Sequence, residues 1–335
     1  MAPSIMKVSI VLPVYNKAPW LRECLDSILA QTFTDFELIA VDDASTDDSL
    51  AILRACTDPR LRVEALPQNL GPAGAVQRAM DLAQGEYIVR MDADDIMLPR
   101  RVELQTAYMD AHPAVGASGG AVQLFGEEER LWQFPADDAS CRALLLFNVP
   151  VSQGGSILRT RTLRAHGIRF HDEWPRTGED WLFWASVAAH AELGNIAEPV
   201  IMYRRGDHNS TSGMSVRDKF DAMVPRLLAI LEVGGGPTAA DDHLLLLGDR
   251  PALPKAVHVD RTLRWAAHLR RWNRERGYCD PALFNARVEE RVQRLFHPLA
   301  DSSWTAALAH LVRVPGGRVR RLAYLLRSRL GRALR

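Results

Sequence analysis

Three carboxylates in four positions close a largely apolar run. In Glu86–Pro99, EYIVRMDADDIMLP, the segment Tyr87–Met91 leads straight into Asp92, Asp94 and Asp95. Its length and its aromatic and β-branched content predict a buried strand. In open α/β sheets, ligands sit beyond the carboxyl ends of the strands. Carboxylates crowded there repel one another unless a cation joins them, and hard divalent cations prefer oxygen ligands. Asp-x-Asp at a strand end is therefore a candidate Mg²⁺ or Mn²⁺ site facing a phosphate. The alternative is a solvated acidic turn.

Two earlier strands end in the same manner. Val8–Leu12 runs into Pro13-Val-Tyr15-Asn16, and Glu37–Val41 runs into Asp42-Asp43-Ala-Ser-Thr-Asp47. Pro19 suits the first turn of a helix to about Ala30. Ser45 and Asp48 have the spacing of a capping box that opens a helix to about Cys56. A shorter strand at Leu61–Leu66, the turn Asn69-Leu-Gly71 and a helix near Ala73–Gln84 complete the alternation. Strands alternating with 10–15-residue helices predict a mostly parallel sheet with crossover helices. Short right-handed connections put the three polar strand ends on one edge, which describes a cleft.

The runs SIVLPVYN, DFELIAVDDASTDDS, NLGPAG and GEYIVRMDADDIMLPRRVE, in this order and spacing, resemble the nucleotide-sugar-binding half of family 2 glycosyltransferases. The resemblance is tight over residues 7–110 and looser to about residue 212. It implies a GT-A fold, a Rossmann-like α/β architecture with a mostly parallel sheet and flanking helices. It also implies inverting transfer of a sugar from a nucleoside-diphosphate sugar, a UDP-sugar by family frequency, to a saccharide or lipid-linked acceptor, with Mn²⁺ or Mg²⁺ as cofactor. Pro13 and Tyr15 would line the base pocket and Asp43 would meet the base edge. Asp42 would hold the loop or the ribose, and Asp92 would contact ribose or donor sugar. Asp94 would ligate the metal of the DXD motif, with Asp95 supporting it. One departure stands out: Ala75-Val76-Gln77 occupies the place where many members have Ala-Arg-Asn, and Arg78 lies one position on.

Farther along, Val151-Ser-Gln-Gly-Gly-Ser156 is a small-residue segment whose backbone approaches something closely. Thr177-Gly-Glu179-Asp180-Trp181 opens a helix. It resembles the family's Glu-Asp motif, which makes Asp180 the general base and Glu179 its neighbour. Thr177 and Asp180 also have capping-box spacing. After the apolar run Ile196–Tyr203, Arg204 or Arg205 is a candidate diphosphate clamp, the alternative being a surface ion pair. Members often carry Tyr-Arg-x-His here. Gly206 fills that histidine position, and His208, two residues later, is the candidate metal ligand, with a surface-loop histidine as the other reading.

The expected organisation is a glycosyltransferase domain over residues 1–215, divided into nucleotide-sugar binding (1–112) and acceptor or catalytic (113–215) parts. A helical region follows over 216–335, with Gly234-Gly-Gly-Pro237 as a linker or sharp turn and as the best candidate boundary. Val319–Leu334 sets Leu322, Leu325, Leu326 and Leu330 against arginines, and Arg313–Arg335 holds eight arginines and no acid. Such a helix can lie on an anionic membrane, meet another copy in a homodimer, or pack its leucines on the protein.

Net charge is zero and the arginines lack interleaved aromatics, which argues against a nucleic-acid partner. The four cysteines are widely spaced, and no run reaches 18 apolar residues. A cytoplasmic protein is the expectation, with peripheral contact at the inner face of a membrane as the open alternative. A sugar nucleotidyltransferase is the rival enzyme, but it calls for a glycine-rich basic loop where Pro13-Val-Tyr-Asn stands. A non-catalytic nucleotide-sugar scaffold is the rival outside catalysis.

Overall fold

The computed structural model describes residues 6–206, 214–248 and 255–333, with side chains to residue 326. His208 therefore lies outside the described residues, as does the side chain of Leu330. The chain divides into two units, Met1–Ser212 and Gly213–Arg335.

In the first unit the elements run β1 (Val8–Val14), α1 (Ala18–Leu29), β2 (Phe36–Asp42), α2 (Ser49–Ala55), β3 (Leu61–Ala65), α3 (Gly71–Leu82), β4 (Tyr87–Arg90) and β5 (Ile96–Met97). There follow α4 (Arg101–Ala111), β6 (Val115–Gly126), β7 (Arg130–Trp132), α5 (Asp138–Leu145), β8 (Ile157–Arg159), α6 (Thr160–His166), α7 (Glu179–Ala188) and β9 (Glu192–Arg205). Among the described residues they form one nine-stranded sheet of order β3-β2-β1-β4-β8-β6-β9-β5, with β7 on β6. β1 pairs in parallel with both β2 and β4, and β2 with β3. β6 and β9 also pair in parallel, whereas β8 and β5 run antiparallel to their neighbours. This is the mixed, mostly parallel α/β sheet that the alternation predicts.

β1 reads as an apolar run broken only by Ser9 because it is sandwiched on both faces. Val8, Ile10, Val11 and Leu12 are fully buried. α1 answers with Leu21, Cys24, Leu25 and Ile28, all buried and on one helical stripe. The short β5 and β8 escaped sequence analysis because two or three residues carry no measurable period. β5 has a positional consequence: its pairing of Ile96 with Met202 lays the Asp94–Asp95 turn against β9.

Two expected capping boxes do not form. α2 starts at Ser49 with Asp48 as N-cap and no side-chain cap bond. Ser45 is instead an acceptor for the Asn16 amide. α7 is preceded by Gly178 at φ 84°, again without a side-chain cap. In both places the loop bends in a way the i, i+3 spacing does not encode; the Ser45 hydroxyl is used for a tertiary contact, and the Asp180 carboxylate accepts from the adjacent Trp181 amide.

The second unit is helical: α8 (Val216–Phe220), α9 (Met223–Ile230), α10 (Ala239–Leu247), α11 (Ala256–Arg276), α12 (Pro281–Arg294), α13 (Phe296–Ser302), α14 (Trp304–Arg313) and α15 (Arg318–Ala333). Trp265, Leu269, Trp272, Phe284 and Phe296 are buried in it. The Gly234–Gly236 run is a turn inside this unit rather than a boundary. All three glycines have positive φ, and a Cβ on Gly235 would collide with the Trp265 ring. Of the α15 leucines, Leu325 is buried while Leu322 and Leu326 are exposed. No helix among the described residues is long and apolar enough to cross a membrane.

Candidate active site

The carboxyl ends of β1, β2 and β4 lie side by side, as parallel pairing requires. The loops that follow β1 and β2 are knitted together. Asn16 Oδ1 accepts from the Thr46 amide at 2.8 Å, the Lys17 amide donates to Ser49 Oγ at 2.9 Å, and the Ala18 amide donates to Asp47 Oδ2 at 3.0 Å. Asn16 and Ala44 adopt positive φ of 52° and 59°. Asparagine tolerates that region; alanine there is strained, and such strain persists only where the surroundings over-determine it. Tyr15, 46% exposed, stands at the mouth of this pair of loops with Pro13 half-buried behind it.

Asp42 and Asp43 are both buried. Asp42 Oδ2 accepts from the Ser45 amide at 3.1 Å, while Oδ1 has no hydrogen-bond partner. Asp43 receives the amides of Leu70 (2.6 Å) and Gly71 (2.9 Å), one on each oxygen, and so holds the start of α3. Burial pushes its carboxyl above the usual range, opposed by those two amides. The expected base contact would have to share this carboxylate, using the lone pairs the amides leave. Gln77, at the family's asparagine position, accepts from the Phe170 amide, and Arg78 forms an exposed pair with Glu64. Neither replaces the missing arginine. Arg176 lies at the start of α3, close to Gly71. A methyl group on Gly71 would lie 4.0 Å from its Nε, and its charge opposes the upward shift at Asp43.

At the end of β4 each of the three aspartates has its own partner. Asp92 Oδ1 accepts from Arg90 Nη2 at 3.1 Å. Asp94 Oδ2 accepts from Lys17 Nζ at 2.5 Å. Asp95 Oδ1 accepts from the Arg204 amide at 2.8 Å, and its buried Oδ2 has no hydrogen-bond partner. Burial first, and then the Asp92 charge, push the Asp95 carboxyl well above its usual range. Arg204 braces the turn: Nε donates to the Asp94 carbonyl at 3.0 Å and Nη2 reaches Glu23 at 2.5 Å. The glycine segment approaches Asp92. A Cβ on Gly154 would fall 2.5 Å from Asp92 Oδ2.

Glu179 and Asp180 open α7 at the same edge. Asp180 Oδ1 accepts from the Trp181 amide at 2.8 Å. Burial raises the Glu179 carboxyl to about 7, helped by Asp180; burial also raises Asp180, opposed by the Trp181 amide and the Arg90 charge. Arg90 is thus common to Asp92 and to the Glu-Asp pair. It is 6% exposed, and its Nε and Nη1 are buried without hydrogen-bond partners. Arg101, fully buried beneath, donates to the Arg90 and Ser156 carbonyls. Lys17, Arg90 and Arg176 were all missed in sequence analysis. Each is remote in sequence from the carboxylates it serves, or hidden within an otherwise apolar strand.

The donor set suits a hard cation of limited protein ligation. No cluster of three or more His, Cys, Asp or Glu among the described residues could hold a metal. Mg²⁺ and Mn²⁺ sites commonly use one or two carboxylates and complete the shell with substrate phosphates and water. Asp94 fits that share, and the Lys17 ammonium already marks a cation position on it.

A family model described as glycosyl transferase family 2 matches residues 9–165. The succinoglycan biosynthesis protein ExoO of Rhizobium meliloti is 31% identical over 347 residues, covering 96% of this chain and 89% of that protein. An uncharacterized glycosyltransferase of Haemophilus influenzae is 28% identical over 61% of this chain and 67% of its own length. Two uncharacterized glycosyltransferases of Rickettsia are matched over only 30% and 31% of their lengths. Among solved structures, S. aureus TarS 1–349 in complex with UDP-GlcNAc aligns with TM-score 0.59 at 19% identity, over 86% of this chain and 92% of that one. The mannosyltransferase PcManGT of Pyrobaculum calidifontis, in complex with GDP-Man and Mn²⁺, aligns with TM-score 0.53 at 21% identity, over 91% of this chain and 85% of that one. At these identities the structural likeness shows the fold.

Gly154→Ala forces Asp92 aside without touching the core, so transfer activity should fall by about 10²-fold while the melting temperature moves little; unchanged kcat would contradict the contact. Glu179 keeps its proton in the folded chain up to about pH 7, whereas an unfolded glutamate releases it near 4.5. Stability therefore falls as pH rises between those values. Glu179→Gln should melt higher than the unsubstituted chain at pH 8 and equally at pH 4.5; a difference of the opposite sign at pH 8 would refute the assignment.

Proposed function

The chain belongs to glycosyl transferase family 2, and from that premise we propose that it transfers a sugar from a nucleoside-diphosphate sugar to an acceptor hydroxyl, with inversion, in surface polysaccharide or glycolipid synthesis. The single observation that carries the reading is the position of Asp180. Its carboxylate is oriented by the Trp181 amide and shares the charge of Arg90 with Asp92. A general base needs that combination: a fixed carboxylate of modestly raised basicity beside the reacting centre.

In this reading the base stacks at Tyr15 and meets Asp43, while Asp92 receives the ribose or donor sugar. Asp180 takes the acceptor proton as the hydroxyl oxygen attacks the anomeric carbon from the face opposite the diphosphate. Glu179, whose carboxyl burial raises to about 7, sits beside it. Asp94 is the protein ligand for Mn²⁺ or Mg²⁺, and such an ion supplies Lewis-acid neutralisation of the departing diphosphate. Arg204 holds the Asp94–Asp95 turn, and a diphosphate contact from it would need release of Glu23. A UDP-sugar is the favoured donor. The nucleotide-sugar complexes of TarS and PcManGT support a donor of this class.

Peripheral contact with an anionic lipid surface is part of the proposal. Val319, Leu322 and Leu326 are exposed on α15 at i, i+3 and i+7, beside exposed Arg318 and Arg320.

Asp180→Asn separates binding from chemistry. Donor binding, read as thermal stabilisation by UDP-, GDP- and dTDP-sugars with Mn²⁺, should persist, at about 2.7 kcal/mol when the ligand is at 100 Kd. Transfer should drop by roughly 10²–10⁴-fold. Transfer that survives in Asp180→Asn would remove the base assignment, and stabilisation by none of the nucleotide sugars would remove the donor reading.

A further inference from the structure

We propose that Lys17 is a resident counter-cation for Asp94. It holds the carboxylate while the donor is absent, competes with a divalent metal for it, and turns to the diphosphate when nucleotide arrives. This rests on the reading that Asp94 faces the donor phosphates.

The three aspartates after β4 are not partnered alike. Asp95 is fixed by a backbone amide, and Asp92 by an arginine buried in its own strand. Asp94 is partnered by the ammonium of Lys17, reaching in from the loop after β1 at 2.5 Å. The base of that lysine is rigid: its amide donates to Ser49 Oγ, its carbonyl accepts from the Trp20 and Leu21 amides, and it serves as N-cap of α1. Its ammonium also lies 5.4 Å from the centroid of the Trp20 ring. Backbone fixation places the tip, while the four-carbon stem leaves it free to pivot.

A lysine ammonium and a hard divalent ion draw on the same carboxylate and repel one another, so each weakens the other's hold on Asp94. The ammonium is also a point-charge phosphate binder with three donors. A diphosphate arriving at Asp94 gives Lys17 a new anionic partner and frees the carboxylate for the metal. Metal alone therefore binds weakly, and nucleotide and metal bind together. The device keeps the acidic cleft neutral between turnovers without a permanently bound ion.

The test is Mn²⁺ titration of the full chain followed by the electron paramagnetic resonance signal of free Mn²⁺, with and without UDP. Lys17→Met, close in length and uncharged, should bind Mn²⁺ alone at least fivefold more tightly than the unsubstituted chain. Adding Asp94→Asn to it should abolish that gain. Lys17→Gln reads the same quantity if the methionine variant fails to fold. Equal or weaker Mn²⁺ affinity in both lysine variants, or a gain that survives Asp94→Asn, overturns the proposal. UDP binding without metal, measured in the same samples, reports on the donor reading separately. Nucleotide binding with unchanged Mn²⁺ affinity sinks the role of Lys17 alone, whereas binding of none of UDP, GDP and dTDP, with or without Mn²⁺, sinks both.

Discussion

Five carboxylates at one sheet edge must be kept from repelling each other, and the first unit is arranged around that requirement. Asp92, Asp94, Asp95, Glu179 and Asp180 lie at the ends of two elements far apart in sequence. The chain offsets their charge in two ways. Lys17 and Arg90 stand directly against Asp94 and Asp92. Burial does the rest, raising Asp95 and Glu179 so that each holds its proton to higher pH. Beneath them Arg101 is buried so fully that its own guanidinium is pushed down to about 9. A buried charge of this kind persists only when well hydrogen-bonded, and Arg101 donates to Gln105 and to the Arg90 and Ser156 carbonyls.

Those same bonds are the frame. The Arg101 contacts link α4 to β4 and to the glycine segment that leads into β8. The Arg204 amide and guanidinium link β9 to the Asp94–Asp95 turn. The loops after β1 and β2 are zipped to each other and end in a strained Ala44. A change at any of these joints moves a carboxylate, so stability and the proposed chemistry are carried by one set of contacts. A site held this firmly is pre-organised and has little reorganisation left to make in the transition state.

Much of this was legible in the sequence. The apolar runs of β1, β2 and β4 and their polar ends announce a parallel sheet with one ligand-bearing edge, because the period and the strand-end rule act over short stretches. The tertiary cations were not legible. Lys17 reads as the start of a helix, Arg90 as an interruption in a strand, and Arg176 as a loop residue. Their meaning depends on a partner between 2 and more than 100 positions away. Capping-box spacing failed for two local reasons: the Ser45 hydroxyl is taken by the Asn16 amide, and a left-handed Gly178 stands at the N-cap between Thr177 and α7. In the second unit the glycine run looked like a boundary, whereas the close approach of Trp265 shows why small residues with positive φ are required at a turn there.

On the proposal for Lys17, the protein's own cations neutralise the acidic edge until a nucleotide arrives. A crystal structure of the chain with UDP and Mn²⁺, with anomalous scattering used to locate the metal, tests it most directly. The expected result is a Mn²⁺ peak within coordination distance of Asp94 and the diphosphate, Lys17 turned onto a phosphate oxygen, and Arg90 still on Asp92. Manganese bound away from Asp94, or a Lys17–Asp94 pair intact beside bound UDP, would contradict it.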